Sequence, residues 1–294
     1  MIDYQNREIC NGVTTHQLQQ KSLEILKYFQ NLCRENGLRY WVGGGTCIGA
    51  LRHQGFIPWD DDIDVFMPRP DYEKLYRIWN EVADTKRYAL CRTTREQNNH
   101  QTDMQLVDLN TTFINRHSVN EDIMHGVSID IMPMEGCPRS KIKQLFQIYH
   151  SVIYSIFNVQ RLPDHQGKFL RTMTKLVLNA VPDPDRRYRL WKKHEKLMYQ
   201  YDFEQADFAK ETITSFRALF YKYPRAYFET KEVPFEDISV PIPIGYHEYL
   251  TRIFGDYMSL PSEDQRCAKH DIVYLNLEEP FQKYRGIYYC IPKK

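Results

Sequence analysis

Residues 43–67 read GGGTCIGALRHQGFIPWDDDIDVFM, and this stretch is the most informative part of the chain. Three consecutive glycines predict a tight turn, and residues 46–53 directly after them can form a helix. A glycine turn at a helix N-terminus can present backbone N–H groups and the positive end of the helix dipole to a phosphate. The segment therefore predicts a turn that is able to cradle phosphate.

An acidic segment begins at Asp60, fifteen residues after the glycine turn. Residues 62–67 alternate charged and apolar side chains as a β-strand does, so Asp62 and Asp64 are expected on one face of it. Two carboxylates placed in this way can share a hard cation such as Mg²⁺, which would remove their mutual repulsion. Glycine turns and acidic loops are each common without function, but their ordered combination favours a phosphate and metal site.

Composition places the chain among ordinary globular proteins. Its 294 residues are 42% hydrophobic and 26% charged, long enough for one large domain or for a core with an appended lobe. The formal net charge of +1 does not favour nucleic acid as a partner. Residues 136–200 nevertheless hold thirteen Lys or Arg against four Asp or Glu, so this region prefers anions.

The seven cysteines are scattered and form no C-x-x-C pair, which indicates neither a disulfide framework nor a zinc site. The chain has no apolar run of about 18 residues, and its first ten residues lack the regions of a signal peptide. We therefore expect a cytoplasmic protein with reduced thiols.

The spacing of apolar residues predicts an α/β arrangement for the first half of the chain. A helix is expected over 16–36 with Thr14 or Thr15 as N-cap, another over 46–53, and a third after Pro70 with Asp71 as its cap. Strand-like segments lie at 38–42, 62–67, 88–92, 104–109, 112–115 and 127–132. These elements predict a mixed sheet.

The second half changes character, because apolar residues keep helical spacing over 142–157 and 169–177 and a charged helix is expected over 188–201. From residue 221 onward, prolines predict short strands and loops. We therefore divide the chain into a core, residues 1–138, and a helical and loop-rich region, residues 139–294.

Residues 45–65, GTCIGALRHQGFIPWDDDIDV, resemble the signature of the LicD family of the nucleotidyltransferase-fold superfamily, to which fukutin also belongs. Further agreement lies in MPRPDYEKL (67–75), in GVSIDIMPMEGCP (126–138) and in a distal block over 235–261. The departure from the family pattern is small: Cys47 and Ile48 stand where Leu-Leu is commoner. The resemblance implies a nucleotidyltransferase-fold core of the α/β (α+β) class, with a small mixed sheet flanked by helices and a largely helical appended region. It also implies that residues 1–138 are the catalytic core and that residues 139–294 complete the active-site cleft and the acceptor side.

The superfamily pattern implies three catalytic and metal-binding carboxylates and a donor-phosphate motif, which match Asp62, Asp64, Asp130, Gly44, Gly45 and Thr46. Asp130 stands between two isoleucines, where an unpaired carboxylate is expensive to bury. We therefore favour a metal or base role for Asp130 over a merely structural pairing inside a strand.

Further candidates for the donor pocket follow from their positions. Arg52 can reach the donor phosphates with its planar guanidinium, whereas His53 fits either the pocket or an exposed helix position. Arg266 and His270 are four residues apart on an expected helix and would share a face. Aromatic candidates for holding a cationic head group, each of which also fits core packing, are Trp41, Trp59, Tyr246, Tyr249 and Tyr257.

The resemblance implies transfer of phosphocholine from CDP-choline to a sugar hydroxyl of a cell-surface glycan, a teichoic acid or lipopolysaccharide precursor, with Mg²⁺ or Mn²⁺ as cofactor. The alternative within the family is another phospho-group, such as ribitol phosphate from its CDP ester. If the acceptor is lipid-linked, the basic helices between Arg139 and Lys196 are expected to contact the inner membrane face. The ordinary alternative is a helix packed on the core with its basic side solvated.

Two other classes of function fit less well. Asp60, Asp62, Asp64 and Asp71 match positions one, three, five and twelve of a calcium-binding EF-hand loop, but Val65 occupies position six, where the turn needs glycine. A nucleotidyltransferase that acts on nucleic acid would be expected to show a basic footprint, which the near-zero net charge does not provide.

Overall fold

The computed structural model describes residues 3–162, 168–213 and 217–292. Within these ranges the helices are α1 (Thr15–Glu35), α2 (Gly44–His53), α3 (Arg69–Val82), α4 (Lys141–Val159), α5 (Lys168–Ala180), α6 (Pro184–Met198) and α7 (Tyr246–Phe254). The strands are β1 (Glu8–Cys10), β2 (Val13–Thr14), β3 (Trp41–Val42), β4 (Asp64–Pro68), β5 (Tyr88–Cys91), β6 (Met104–Asp108), β7 (Thr112–Asn115), β8 (Ser128–Cys137), β9 (Phe208–Glu211), β10 (Tyr223–Pro224), β11 (Thr230–Phe235), β12 (Ile238–Pro243) and β13 (Ile272–Asn276). No helix of the described ranges combines the length and apolar composition that crossing a membrane requires.

A mixed sheet forms the centre of the molecule and confirms the expected fold class. Strand β8 is its longest member and pairs in parallel with β4, which pairs antiparallel with β3. On its other edge β8 pairs antiparallel with β6 along its first half and with β9 along its second half. Strands β5 and β10 extend these two branches. Because β8 joins both branches, it runs through the middle of the core.

The two faces of this sheet carry different side chains because β4 and β8 alternate strictly. Val65 and Ile131 point toward a large apolar core that also contains residues of α1 and α3, such as Leu18 and Tyr72. The opposite face holds a smaller cluster of Trp41, Phe66, Met132, Met134, Phe203 and Ala209. Asp64 and Asp130 share the face of this smaller cluster by alternation, which keeps their carboxylates out of the main core.

A network of ion pairs connects α3 and α6 with strand β8. Arg69 donates through Nε to Glu135, at 2.9 Å, and through Nη1 to Glu73, at 3.0 Å. Arg92 donates to both carboxylate oxygens of Glu73 and, at 2.7 Å, to Glu195. Burial alone would raise the pKa of Glu73, but the two guanidinium groups outweigh it and lower that pKa to about 2. Each buried charge of this network therefore faces an opposite charge.

The helix and strand predictions for the first half are largely confirmed, with corrections at their ends. Thr14 caps α1 through a reciprocal bond with Gln17, as the N-cap prediction allowed. Asp71 does not cap α3, which begins at Arg69, and it accepts a hydrogen bond from Arg39 at 2.8 Å instead. Pro70 fits inside the first turn because N–H groups there have no acceptor within the helix.

Two predictions for the second half were wrong. Residues 246–254 form helix α7, although the prolines on both sides suggested only strands and loops. Arg266 and His270 do not share a helix face, because only Glu263–Gln265 is helical, as one 3₁₀ turn, and the chain is irregular after it. The division of the chain at residue 138 stays a prediction.

Candidate active site

Adjacent strands place two carboxylates side by side. Asp64, the first residue of β4, is the register partner of Asp130 on β8, and parallel neighbours are about 4.8 Å apart. The backbone N–H of Asp130 donates to the carbonyl of Ile63 at 2.9 Å, which extends the ladder one residue beyond β4. Asp62 therefore precedes the strand, although the sequence predicted it as the strand's first residue.

The glycine turn packs directly against these carboxylates. Gly44 has φ +47°, and a Cβ there would lie 2.5 Å from Asp64 Oδ2. A Cβ at Gly45 would lie 2.6 Å from Asp60 Oδ2, and Thr46 Oγ1 accepts the N–H of Asp64 at 2.9 Å. A side chain at either glycine would displace a carboxylate, so the absence of Cβ is what lets the N-terminus of α2 approach the acidic residues.

Five carboxyl groups around this turn have pKa values above their ordinary range: Asp60, Asp62, Asp64, Asp103 and Asp130. Burial is the largest cause for each of them, because it disfavours the charged form. Repulsion between neighbouring carboxylates is a further cause for Asp64, whose pKa is raised further by Asp62 and Asp130. The pKa of Asp62 is raised to about 6. These like charges lack enough cationic partners.

Asp103 was missed by the sequence analysis. It immediately precedes β6, and its pKa is raised by burial and by the charge of Asp130. The next strand residues also supply Gln105, the register partner of Asp130, whose Nε2 donates to Asp130 Oδ1 at 2.7 Å. No local motif marks Asp103 or Gln105, because only strand pairing brings them to Asp130.

Asp61 differs from its acidic neighbours because it has partners. Its carboxylate accepts the backbone N–H groups of Lys269 and His270, both at 3.2 Å, and lies 3.1 Å from His270 Nδ1. Burial would raise the pKa of Asp61, but these bonds outweigh it and lower the pKa. Burial likewise disfavours the His270 cation, whereas Asp61, Asp62 and Asp130 raise its pKa to about 9.

The neighbouring carboxylates favour the protonated form of His270. Its ring nitrogen, Asp61 and Asp62 offer atoms within 4.8 Å of one another, an arrangement that could hold a metal ion. The oxygen atoms of Asp62, Asp64 and Asp130 do not all come within this distance of one another. These three residues therefore stay a prediction as the metal-binding set, whose oxygen atoms are the ligands that Mg²⁺ prefers.

A cleft opens over one end of this group, with an empty volume of about 690 Å³ when its solvent-open mouth is included. Its walls include Asp62, Gln105, Asp130, Arg161 and His270. The space inside the cleft, without the mouth, is about 90 Å³, which is smaller than the roughly 300–1,000 Å³ of typical small-molecule sites. Of the predicted pocket residues, the structure thus brings Asp62, Asp130 and His270 to one cleft.

Other predicted pocket residues lie away from that cleft. Arg52 donates to the carbonyls of Tyr257 and Ser259, at 2.8 and 3.1 Å, and its Nε donates to His53 Nε2 at 2.9 Å. Its guanidinium thus ties α2 to the segment after α7. The Tyr257 hydroxyl lies 3.0 Å from His247 Nδ1.

Two more candidates, Trp59 and Arg266, lie in a second cleft beside the hairpin of β1 and β2. Trp59 lines it together with Tyr4 and Arg266, and the guanidinium of Arg266 lies 5.6 Å from the Trp59 ring centroid. Tyr246 packs on the edge of the main core, with Lys231 Nζ 5.5 Å from its ring centroid. The structure therefore does not gather all predicted aromatic residues into one pocket.

The chain is similar to known proteins in the region that carries this site. Residues 37–154 match the family model described as LicD/FKTN/FKRP, nucleotidyltransferase domain, a range that contains the glycine turn and all five acidic residues with raised pKa values. The match confirms the resemblance seen in the sequence.

Individual relatives extend this likeness. The chain is 29% identical over 281 residues to the lipopolysaccharide cholinephosphotransferase LicD of Haemophilus influenzae, an alignment that spans 88% of this chain and 96% of that protein. It is 43% identical over 42 residues, 14% of this chain and 8% of the relative, to the human ribitol 5-phosphate transferase FKRP. The chain is also 26% identical over 176 residues to mannosyltransferase regulator 4 of Saccharomyces cerevisiae. This alignment spans 54% of this chain and 14% of that protein.

Proposed function

Because residues 37–154 form a domain of the LicD family, we propose that the chain is a transferase that moves phosphocholine from CDP-choline to a sugar hydroxyl of a cell-surface glycan. The acceptor we propose is a lipopolysaccharide or teichoic acid precursor. The observation that carries the proposal is the side-by-side placement of Asp64 and Asp130 beneath the glycine turn at the N-terminus of α2. Near full-length similarity to a lipopolysaccharide cholinephosphotransferase supports the choice of transferred group.

The carboxylates fit magnesium because they are hard oxygen ligands whose repulsion a cation would relieve. Asp62, Asp64 and Asp130 would hold Mg²⁺, which would neutralise the donor diphosphate and the leaving CMP. Asp130 would also take the proton of the acceptor hydroxyl, and Gln105 orients its Oδ1. The N–H groups at the start of α2, other than that of Gly44, which donates to the Tyr249 hydroxyl, would face the donor phosphates.

A site for the choline head group lies next to these residues. Phe66 follows Asp64 by two residues on the same sheet face, about 7 Å along the strand. Beside it is a small apolar pocket whose lining includes the aromatic residues Phe66, Tyr223, Tyr227, Phe228 and Tyr249. Aromatic faces suit a quaternary ammonium.

Tyr249 connects this pocket to the phosphate turn, because its hydroxyl accepts the N–H of Gly44 at 3.2 Å. The interior space is about 10 Å³, room for about one water molecule, so the head group would sit at the mouth beside the partly exposed Tyr227 and Phe228.

The decisive experiment measures CMP release from a panel of CDP-linked donors, with and without glycan acceptor. We expect release from CDP-choline that EDTA abolishes and that Mg²⁺ or Mn²⁺ restores. Release of CMP from CDP-ribitol but not from CDP-choline would assign the chain to ribitol phosphate transfer. Full activity in EDTA would exclude a role for Mg²⁺ or Mn²⁺. Replacing both Tyr227 and Phe228 with Ala should raise the Kd for CDP-choline by roughly 10-fold without changing the Kd for CMP. Phe254→Ala, at a 46% exposed ring outside the pocket, is the matched control.

A further inference from the structure

Helix α4 differs from a usual surface helix in its first half, because the side chains buried there are polar: Gln147 and Ser151 are fully buried. Gln147 Nε2 donates to the carbonyls of Gly136 and Met198, at 2.9 and 3.0 Å, and Ser151 donates to the carbonyl of Gln147. The second half packs in the ordinary way, with Tyr154 and Phe157 buried in an apolar cluster. In the first half, hydrogen bonds hold the helix to the protein, and its large apolar residues lie on the other face.

Four large apolar side chains form the outer face of α4. Ile142 is 68% exposed, Leu145 62%, Phe146 59% and Tyr149 53%. Their spacing of three, four and seven residues places them in one row about 10 Å long, which we call the α4 stripe. Single exposed apolar residues are normal, but a contiguous row of this kind marks an interaction surface.

Unpaired cations lie at both ends of the α4 stripe. Lys141 and Lys143 are exposed in the first turn of α4, and no described residue forms an ion pair with either of them. Cations are unfavourable at a helix N-terminus, so these lysines do not serve the stability of the helix. At the other end, Lys193 of α6 is close enough to lower the pKa of His150, after the larger effect of burial. Neither α4 nor α5 contains an Asp or Glu.

We infer that the α4 stripe docks the protein on an anionic lipid surface. The apolar side chains would enter the boundary between headgroups and acyl chains, and the lysines would lie against lipid phosphates. A second copy of the chain is a poorer occupant, because a two-fold dimer through this face would bring only positive charges together. Docking of the α4 stripe on lipid does not depend on which donor the active site uses.

Cosedimentation with vesicles tests this inference on the full chain. Vesicles of phosphatidylcholine mixed with phosphatidylglycerol should retain the wild-type protein, and replacing both Leu145 and Phe146 with Ser should lower the bound fraction at least 10-fold, since burial of apolar side chains is lost. The matched control replaces Ile287 and Ile291, which are 58% and 57% exposed, with Ser and should bind like the wild type. An equal loss of vesicle binding in the control variant would overturn the proposal that the α4 stripe is the lipid-binding surface.

The charges are tested separately. Replacing both Lys141 and Lys143 with Glu should weaken binding to the phosphatidylglycerol vesicles, and added salt should weaken wild-type binding in the same way. Light scattering without lipid should give a monomer for the wild type and for the Leu145 and Phe146 variant. A wild-type dimer that the Ser variant dissociates, together with no vesicle binding, would assign the stripe to a second copy and overturn the proposal.

Discussion

Two regions of this molecule bury several charges, and they do so in opposite ways. The ion-pair network around Arg69 and Arg92 surrounds each guanidinium with carboxylates of Glu73, Glu135 and Glu195. The acidic group around Asp64 packs carboxylates against one another, so that the pKa of Asp64, already raised by burial, is raised further by four neighbouring carboxylates. The first region is balanced by the protein itself, whereas the second is not.

This difference separates scaffold from function. A buried ion pair adds little net stability, but removal of one partner is costly, so the network fixes the docking of α3 and α6 on β8. Uncompensated carboxylates destabilise the fold unless something else supplies positive charge, and such sites are candidates for metal binding and catalysis. The same residue types therefore predict opposite responses to mutation in the two regions.

The largest expected effect separates activity from stability. Asp64→Asn should lower kcat by several orders of magnitude without loss of folding stability, because it removes a proposed metal ligand and also relieves repulsion. Glu135→Gln should instead cost about 3–5 kcal/mol of unfolding free energy, since it leaves the Arg69 cation without its buried partner. CMP release and urea unfolding of both variants measure these effects. Near-normal turnover of Asp64→Asn at saturating Mg²⁺ would exclude Asp64 as a ligand.

Asp130 is expected to separate donor binding from chemistry within the acidic region. Asp130→Asn keeps the shape of the side chain but removes its basicity, which should lower kcat about 10²–10⁴-fold. The Kd for Mg²⁺ and CDP-choline should stay within a few fold, because Asp62, Asp64 and the glycine turn would still hold the diphosphate. Calorimetry together with initial rates tests this. Loss of donor affinity as severe as in Asp64→Asn would make Asp130 an ordinary metal ligand.

Magnesium should stabilise the acidic region and leave the balanced network unaffected. A ligand that binds only the folded state at about 100 times its Kd adds about 2.7 kcal/mol. Thermal melts of the wild type and of Glu135→Gln should therefore shift upward with Mg²⁺, whereas a variant that carries both Asp62→Asn and Asp64→Asn should not shift. An equal shift in that double variant would place the ion elsewhere.

The pH dependence of stability should have opposite signs for Asp62 in the acidic region and for Glu73 in the ion-pair network. The pKa of Asp62 is raised from 3.8 to about 6, so the folded state binds this proton more tightly and metal-free stability falls as pH rises from about 4 to 6. The pKa of Glu73 is lowered from 4.5 to about 2, so its contribution is present above pH 4.5 and is lost as pH falls toward 2. Urea unfolding in EDTA across this range measures both effects.

Two variants assign these slopes to their residues. Asp62→Asn should reduce the loss of stability between pH 4 and 6, and Glu73→Gln should reduce the loss below pH 4.5. If the unfolding free energy of Asp62→Asn still falls between pH 4 and 6 as steeply as that of the wild type, another of the acidic residues is responsible for the fall.

Local patterns were sufficient for part of the site. The glycine turn, the strand that carries Asp64, and Asp130 between two isoleucines could all be predicted, because each depends on residues adjacent in the chain. Asp61 could not be told from Asp62, since its partner His270 is more than 200 residues away. Helix α7 was missed because flanking prolines are a local signal that tertiary packing of Leu250 overrode.

The sequence by itself determined the α/β class, the acidic segment and the likeness to the LicD family, since these depend on composition, periodicity and a contiguous motif. Only the tertiary structure decided which carboxylates meet, because the register of β4, β6 and β8 brings Asp103 and Gln105 to Asp130. It also decided that the first half of α4 exposes large apolar side chains, those of Ile142, Leu145, Phe146 and Tyr149. A helix with polar and apolar residues on both sides satisfies either orientation locally, and the carbonyls that Gln147 binds come from Gly136 and Met198, elsewhere in the chain.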